Sequence, residues 1–336
     1  MRVKIYRCLV ILFCVVSFTA HAEKAHNYSE HPSSLEFIDY MVKEHNFERA
    51  ELQRLLSDAT YKQSIIDAMN RPAERVKKWQ AYRKIFITDK RLRQGVEFWG
   101  QHRSTLEKAS TEYGVPVEII VAILGVETYY GRITGNYRVI DALSTLGFDY
   151  PKRSTFFTRE LENFLLLSRE QGLKPLELTG SYAGAMGYGQ FMPSSYRAYA
   201  VDYDGDGVAD IWKNPVDAIG SVANYFARHG WKSGEAIASR ATISDDYNQE
   251  IVNKTIKPKL TLAELEQEGF KPVALELAPD TRAIPLKLQG KSADEYWLGF
   301  HNFYVITRYN TSFRYAMAVM QLSELLAEQI GSGVEG

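Results

Sequence analysis

VPVEIIVAILGVETYYGR, residues 115–132, is an almost unbroken apolar run with Glu127 near its end. Gly114 stops whatever precedes it, and Pro116 stands where a first helical residue belongs, since an N–H there would lack a partner anyway. The run therefore predicts a helix reaching Val126. Ile120, Ile123, Leu124 and Glu127 recur at three- and four-residue steps, which puts the carboxylate on the stripe expected to face inward. Glu is almost never fully buried unless paired, and apolar surroundings raise its pKa by disfavouring the charged form. A carboxyl that keeps its proton near neutral pH is what protonation of a leaving glycosidic oxygen requires. A Glu paired with Arg132, or turned to solvent at a helix end, is the structural alternative, and this segment alone leaves both open.

Downstream, GSYAGAMGYGQFMPSSY (180–196) is dense in small residues. Gly184, Gly187 and Gly189 permit close backbone approach and positive φ. Gln190 offers amide hydrogen bonds, and Tyr188 and Phe191 offer flat apolar faces. There is no G-x-x-x-x-G-K-[ST] and no preceding buried strand, so a nucleotide loop is not supported. The alternative is a tight turn closed by a short helix opening at Pro193. In DYDGDGVADIW (202–212), Asp202, Asp204 and Asp206 take positions 1, 3 and 5 of an EF-hand-like loop. Gly207 makes its turn and the Val208 carbonyl stands at position 7, a donor set of hard oxygens that suits Ca²⁺. Position 12 is Lys213 instead of Glu, so Asp210 or Asp217 must complete the shell. Asn214-Pro215-Val216-Asp217 also reads as a helix N-terminus with a dipole-favoured Asp.

Around these segments the pattern is helical. Leu35 to Leu56 predicts paired helices separated by His45-Asn46-Phe47, and Arg71-Pro72 breaks the periodicity. Further helices are predicted at 91–113, 155–171 and 215–229, the last capped by Asn214 and stopped by Gly230. Residues 235–297 change texture: alternating runs at 272–277 and 284–288 predict a small β-containing insertion with a short helix at 262–269. Helical signal returns from Phe303 to Ile330, through the aromatic stretch NFYVITRYNTSFRYAMAV (302–319), whose rings suit sugar faces or core packing equally. The fold class expected is mainly α with a β minority.

The chain has 336 residues, with 40 Lys+Arg against 41 Asp+Glu. That size supports a substantial core and excludes a disordered chain or a disulfide-stapled miniprotein. Arg2, Lys4 and Arg7, an apolar run from Cys8 to Phe18, and Ala20-His21-Ala22 match a secretory signal cleaved after Ala22. Without residues 1–22 the balance is 37 basic to 41 acidic, so no basic field argues for nucleic acid. Cys8 and Cys14 leave with the signal. A lipid anchor at Cys14 is not expected, because Phe13 precedes it where a small residue belongs. No later apolar run is long enough to span a bilayer, so a soluble, monomeric, exported protein is expected.

Taken together, GVETYYGR, GSYAGAMGYGQFMPSSY, NPVDAIGSVANYF and TRYNTSFRYAMAV resemble the lytic murein transglycosylase B family, exported enzymes of Gram-negative bacteria that cleave peptidoglycan. The likeness runs from about Ser34 to Leu326. It implies a lysozyme-like core at 113–234, flanked by a helical segment at 23–112 and the β-containing insertion, and completed by residues 298–336. It implies Glu127 as the catalytic acid, Ser181 as the residue positioning it, and Gln190, Phe191, Tyr188, Tyr225, Tyr309, Asn310 and Tyr315 as the glycan cleft. It also implies a structural Ca²⁺ in the loop 202–217, closed by Asp217, with no organic cofactor, and a periplasmic location like that of the soluble members. The implied reaction cuts the β-1,4 bond between N-acetylmuramic acid and N-acetylglucosamine and closes a 1,6-anhydro ring. A hydrolytic muramidase and a non-catalytic, calcium-dependent wall-binding protein are the competing readings. Partner proteins in the wall machinery leave no readable motif.

Overall fold

The computed structural model describes residues 27–71 and 77–333. The expected export signal with its two cysteines, and Pro72, lie outside them. The helix Val117–Thr128 is the centre of the molecule. Nine of its twelve residues are buried, including Ile119 to Val126 without a break, so it is enclosed on every side instead of presenting one apolar stripe. Pro116 falls one residue earlier than its predicted place, as the N-cap. The C-terminal helix Phe313–Gly333 and the helix Asp89–Gln101 pack along it, with Arg103–Tyr113 and Pro215–Arg228 completing the surround.

The predicted helix at 91–113 is two helices, because His102 leaves helical torsions (φ −116°, ψ 22°) while its ring packs 4.5 Å from Phe98. Gly114 then ends the second in the left-handed region, and the chain bends by 114° into Val117–Thr128. The N-terminal pair Pro32–His45 and Arg49–Asp58 turns at Asn46, which is also left-handed. Asn214 accepts the Val216 N–H at 3.0 Å and Pro215 opens Pro215–Arg228, as the sequence requires. Fourteen α-helices and two sheets lie among the described residues, so the class is mainly α with a β minority.

The larger sheet is antiparallel throughout, in the order Leu260–Thr261, Arg282–Gln289, Asp294–Gly299, Ala238–Ile243, Phe270–Pro272. The central pair runs in register from Ile284 opposite Gly299 to Gln289 opposite Asp294. Pro285 is tolerated because the outer neighbour pairs only with Arg282 and Ala283, so no ladder bond needs its missing N–H. Alternation divides the burial: Ile284, Leu286 and Leu288 join the main core, whereas Ala283 joins Leu262, Leu265, Phe270, Leu298 and Phe300 in a separate small cluster. The run expected at 272–277 is strand only at its first residue, and the strand Asp294–Gly299 crosses the expected boundary at 297. No single helix among the described residues is long and apolar enough to cross a membrane.

A Cβ at Gly125 would lie 2.6 Å from the buried Tyr130 hydroxyl, whereas one at Gly100 meets nothing within 4 Å. Gly125→Ala should therefore cost about 1–3 kcal/mol in urea denaturation through overpacking. Gly100→Ala should add about 0.4–1 kcal/mol by removing backbone freedom from the unfolded chain. Equal effects would show that Tyr130 does not press on the central helix.

Candidate active site

Glu127 sits in the last turn of the central helix and is half-buried, the one partly open position in an otherwise enclosed stretch. The helix stops in an unusual way. Tyr129, Tyr130 and Gly131 are consecutive left-handed residues (φ 51°, 61° and 82°), and the Tyr129 and Tyr130 N–H groups return to Gly125 and Leu124 carbonyls. Two of the three carry side chains, a conformation costing of order 1–3 kcal/mol each unless the surroundings enforce it.

The surroundings do. The Tyr130 hydroxyl donates to the Arg91 carbonyl at 3.0 Å, and the Arg91 guanidinium lies 3.7 Å from the Tyr129 ring centre. Arg91 is itself buried and donates to the Ile85 carbonyl. The Thr128 hydroxyl donates to the Tyr188 carbonyl at 2.8 Å and accepts the Gly131 N–H at 2.9 Å. A Cβ at Gly131 would sit 2.0 Å from the Tyr188 ring, so only glycine fits. Sequence reasoning assigned no role to Arg91, Thr128, Tyr129 or Tyr130. The Thr-Tyr-Tyr-Gly string after Glu127 was the available signal for three of them. Arg91 offered none, because its burial comes from a distant packing partner.

The carboxylate is held from the opposite side as well. The Tyr315 hydroxyl donates to Glu127 Oε1 at 2.5 Å from a buried position on the C-terminal helix. Burial first, then the nearby Glu127 charge, pushes the Tyr315 phenol well above its ordinary range, so it remains a donor at any working pH. Burial and Glu127 act the same way on Tyr309, whose hydroxyl donates to the Gly189 carbonyl at 2.5 Å.

The glycine loop closes the site. Ser181 is tied within it, accepting the Ala185 N–H at 3.1 Å, and Gln190, left-handed at φ 51°, spends its amide nitrogen on the Thr134 and Gly187 carbonyls. Behind them lie packed rings: Phe191 is 5.7 Å from Tyr225 and 5.9 Å from Tyr309, and Tyr225 is 4.7 Å from Tyr309, edge-on, and 4.0 Å from His229, stacked. The residues expected to line the glycan cleft differ in their exposure. Phe191, Tyr225 and Tyr315 are 3%, 6% and 2% exposed and form the wall's backing. Tyr188 and Tyr309 are half-buried and Asn310 is exposed.

In the acidic loop, one carboxylate oxygen each from Asp202, Asp204 and Asp217 lies within 4.8 Å of the others. Asp217 is fully buried, and burial, with Asp204 adding to it, raises its carboxyl above the ordinary range despite the Tyr203 and Asp210 N–H groups it accepts. Three converging carboxylates, one desolvated, fit a cation. Asp206 accepts the Val208 N–H, much as Asp202 accepts the Gly205 and Gly207 N–H groups and Asp204 the Asp206 N–H; the Val208 carbonyl accepts the Asp210 N–H, and Asp210 caps the Trp212 and Lys213 N–H groups. By the distances between carboxylate oxygens, Asp206 and the alternative Asp210 stand outside the convergent trio, and Asp217 is inside it.

The sequence model of the Transglycosylase SLT domain matches residues 30–324. The membrane-bound lytic murein transglycosylase B of Escherichia coli (strain K12) is 46% identical over 310 residues, covering 90% of this chain and 84% of that protein. The crystal structure of the soluble lytic transglycosylase SltB1 of Pseudomonas aeruginosa is 54% identical, with TM-score 0.86 over 89% of this chain and 100% of that one. The structure of the Escherichia coli lytic transglycosylase Slt35 in complex with calcium is 45% identical, with TM-score 0.82 over 90% of this chain and 95% of that one.

His229, stacked on Tyr225, carries a measurable consequence. Burial, aided by Arg308 and opposed by the Tyr225 carbonyl, lowers its pKa from the ordinary 6.5. The unfolded chain then binds more protons than the native one below about pH 6.5, so stability falls as pH drops from there to the depressed value and levels off beneath it. Urea denaturation at pH 7.5 and 5.5 should show a smaller pH-dependent loss for His229→Gln than for the parent chain. Identical losses would remove His229 from the account.

Proposed function

The chain belongs to the transglycosylase SLT domain family, among the lytic murein transglycosylases, and on that premise we propose Glu127 as its single catalytic acid and base. The protein is a peptidoglycan lytic transglycosylase with the lysozyme-like fold of that family. It cleaves the β-1,4 bond between N-acetylmuramic acid and N-acetylglucosamine and leaves 1,6-anhydromuramoyl ends.

The observation that carries the residue assignment is the position of Glu127: half-open at the end of a buried helix, with Tyr315 bonded to Oε1. Because Tyr315 makes Oε1 an acceptor, the transferable proton resides on Oε2. Glu127 gives that proton to the glycosidic oxygen as the bond to the muramoyl anomeric carbon breaks. The muramoyl 6-hydroxyl then bonds to the same carbon, and the Glu127 carboxylate, stabilised by the Tyr315 phenol, takes the hydroxyl proton. One C–O bond breaks, one forms, Glu127 ends protonated, and no water is consumed. An internal nucleophile removes the need for the second carboxylate of ordinary glycosidases. Ser181, through Ala185, holds the loop that faces the acid, and Tyr188, Tyr309 and Asn310 present surfaces to the glycan.

Asp202, Asp204 and Asp217 hold a structural Ca²⁺, which braces the segment between the glycine loop and the helix carrying Tyr225. Residues 1–22 direct export to the periplasm, where the substrate lies, and leave a mature chain without cysteine.

Glu127→Gln preserves shape and removes the acid, and should lower turnover of isolated sacculi by about 10²- to 10⁴-fold while binding to them persists. Mass spectrometry of wild-type digests should find anhydromuramoyl ends; reducing muramoyl ends would instead indicate a hydrolase. For the metal, Ca²⁺ at a hundred times its Kd should stabilise chelator-treated protein by about 2.7 kcal/mol, and Asp217→Asn should abolish that gain. A thermal shift surviving the substitution would move the ion elsewhere.

A further inference from the structure

Polar contacts fasten the acidic loop to the helix Pro215–Arg228 and its N-cap. The Val201 N–H donates to the Ser221 hydroxyl at 3.0 Å, the Tyr203 N–H to Asp217 at 2.7 Å, and the Asn214 side-chain amide to Asp204 at 2.7 Å. Tyr203, which stands between Asp202 and Asp204, extends its side chain to a different helix. Its hydroxyl donates to Glu112 at 2.9 Å, the Lys108 ammonium lies 4.2 Å from its ring centre, and the Tyr113 ring is 6.1 Å away. These three residues belong to the C-terminal half of Arg103–Tyr113, which passes through Gly114 straight into the helix bearing Glu127.

The ring has a seat made for it. A Cβ at Gly220 would lie 2.4 Å from the Tyr203 ring, so the helix Pro215–Arg228 offers a notch there that only glycine provides. Farther along the loop, a Cβ on Gly205 or Gly207 would meet nothing within 4 Å. The loop is therefore packed at Tyr203 and open at its tip.

Three carboxylates whose oxygens converge within 4.8 Å repel one another unless a cation lies between them. Two of the three flank Tyr203. Repulsion that spreads the loop carries the Tyr203 backbone with it, drawing the ring from the Gly220 notch and the hydroxyl from Glu112. An ion that gathers the carboxylates seats the ring again. Resting on the structural Ca²⁺ reading above, we propose that Tyr203 is a positioning residue through which the bound cation holds the helix Arg103–Tyr113, and with it the entry to the catalytic helix. Such coupling is reciprocal: whatever the ion adds to the seating of the ring, the seated ring adds to the binding of the ion.

The decisive variant is Lys108→Ala/Glu112→Ala. Both side chains are exposed, the net charge is unchanged, and neither the loop nor its carboxylates are altered. Chelator-treated protein is titrated with CaCl₂ in a calorimeter, and hydrogen exchange at the amides of residues 108–113 is followed with and without Ca²⁺. The parent should bind Ca²⁺, and these amides should then exchange more slowly. In the variant the Kd for Ca²⁺ should rise about fivefold, and the Ca²⁺-dependent slowing should shrink by the same factor. Tyr203→Ala, which removes the ring itself, should move both readouts in the same direction. A role confined to packing would instead lower thermal stability equally with and without Ca²⁺ and leave the Kd at the parent value; that result in Lys108→Ala/Glu112→Ala overturns the coupling while the ion stands. A parent chain that gives no heat with Ca²⁺ removes the ion itself, and the coupling with it.

Discussion

The left-handed turn at Tyr129–Tyr130–Gly131 is the constraint on which the rest of the site depends. A helix that ended by fraying would leave Glu127 on a mobile last turn. Here three successive residues are held at positive φ by contacts from separate parts of the chain: Arg91 beneath Tyr129 and Tyr130, Thr128 across to Tyr188, and the Tyr188 ring against Gly131. The strain is offset by burial of Tyr130 in the main core, so the position of Glu127 is set by the packing of the whole domain.

From that turn the remaining parts follow outward. The glycine loop must approach closely enough for Tyr188 to meet Thr128, which requires Gly187 to pass a Cβ's width from the Ile211 carbonyl and Gly189 to admit the Tyr309 hydroxyl. Ile211 lies at the end of the acidic loop, and the Tyr188 N–H bonds its carbonyl at 2.9 Å. The cation-ready trio of Asp202, Asp204 and Asp217 is thereby coupled to the catalytic turn through one short run of backbone. The buried rings of Phe191 and Tyr225, packed against Tyr309, support the loop from behind.

Local rules made much of this legible. Asn214-Pro215 marked a helix start, Gly114 a helix end, and the alternating aspartates a loop where carboxylates gather, because each of those signals acts within a few residues. Where reading failed, the decisive contact was distant. Nothing near His102 announces a break in the helix. The apolar stripe of the central helix hid its burial on all faces, since enclosure depends on four other helices. Asp206 matched the loop pattern as well as Asp204 did, yet only the folded backbone brings Asp204 within reach of both Asp202 and Asp217.

By itself the sequence determined the family and the mainly helical class, and singled out Glu127 and the aspartate loop as candidates, because those rest on residue identity and on spacings shorter than two helical turns. Tertiary structure decided which aromatic faces remain open, which aspartates converge, that Tyr315 holds Glu127 from 188 positions away, and that Tyr203 ties the acidic loop to Glu112, 91 positions earlier. Those outcomes depend on which surfaces meet when the chain collapses, and pairwise proximity between distant segments follows from packing the whole core at once.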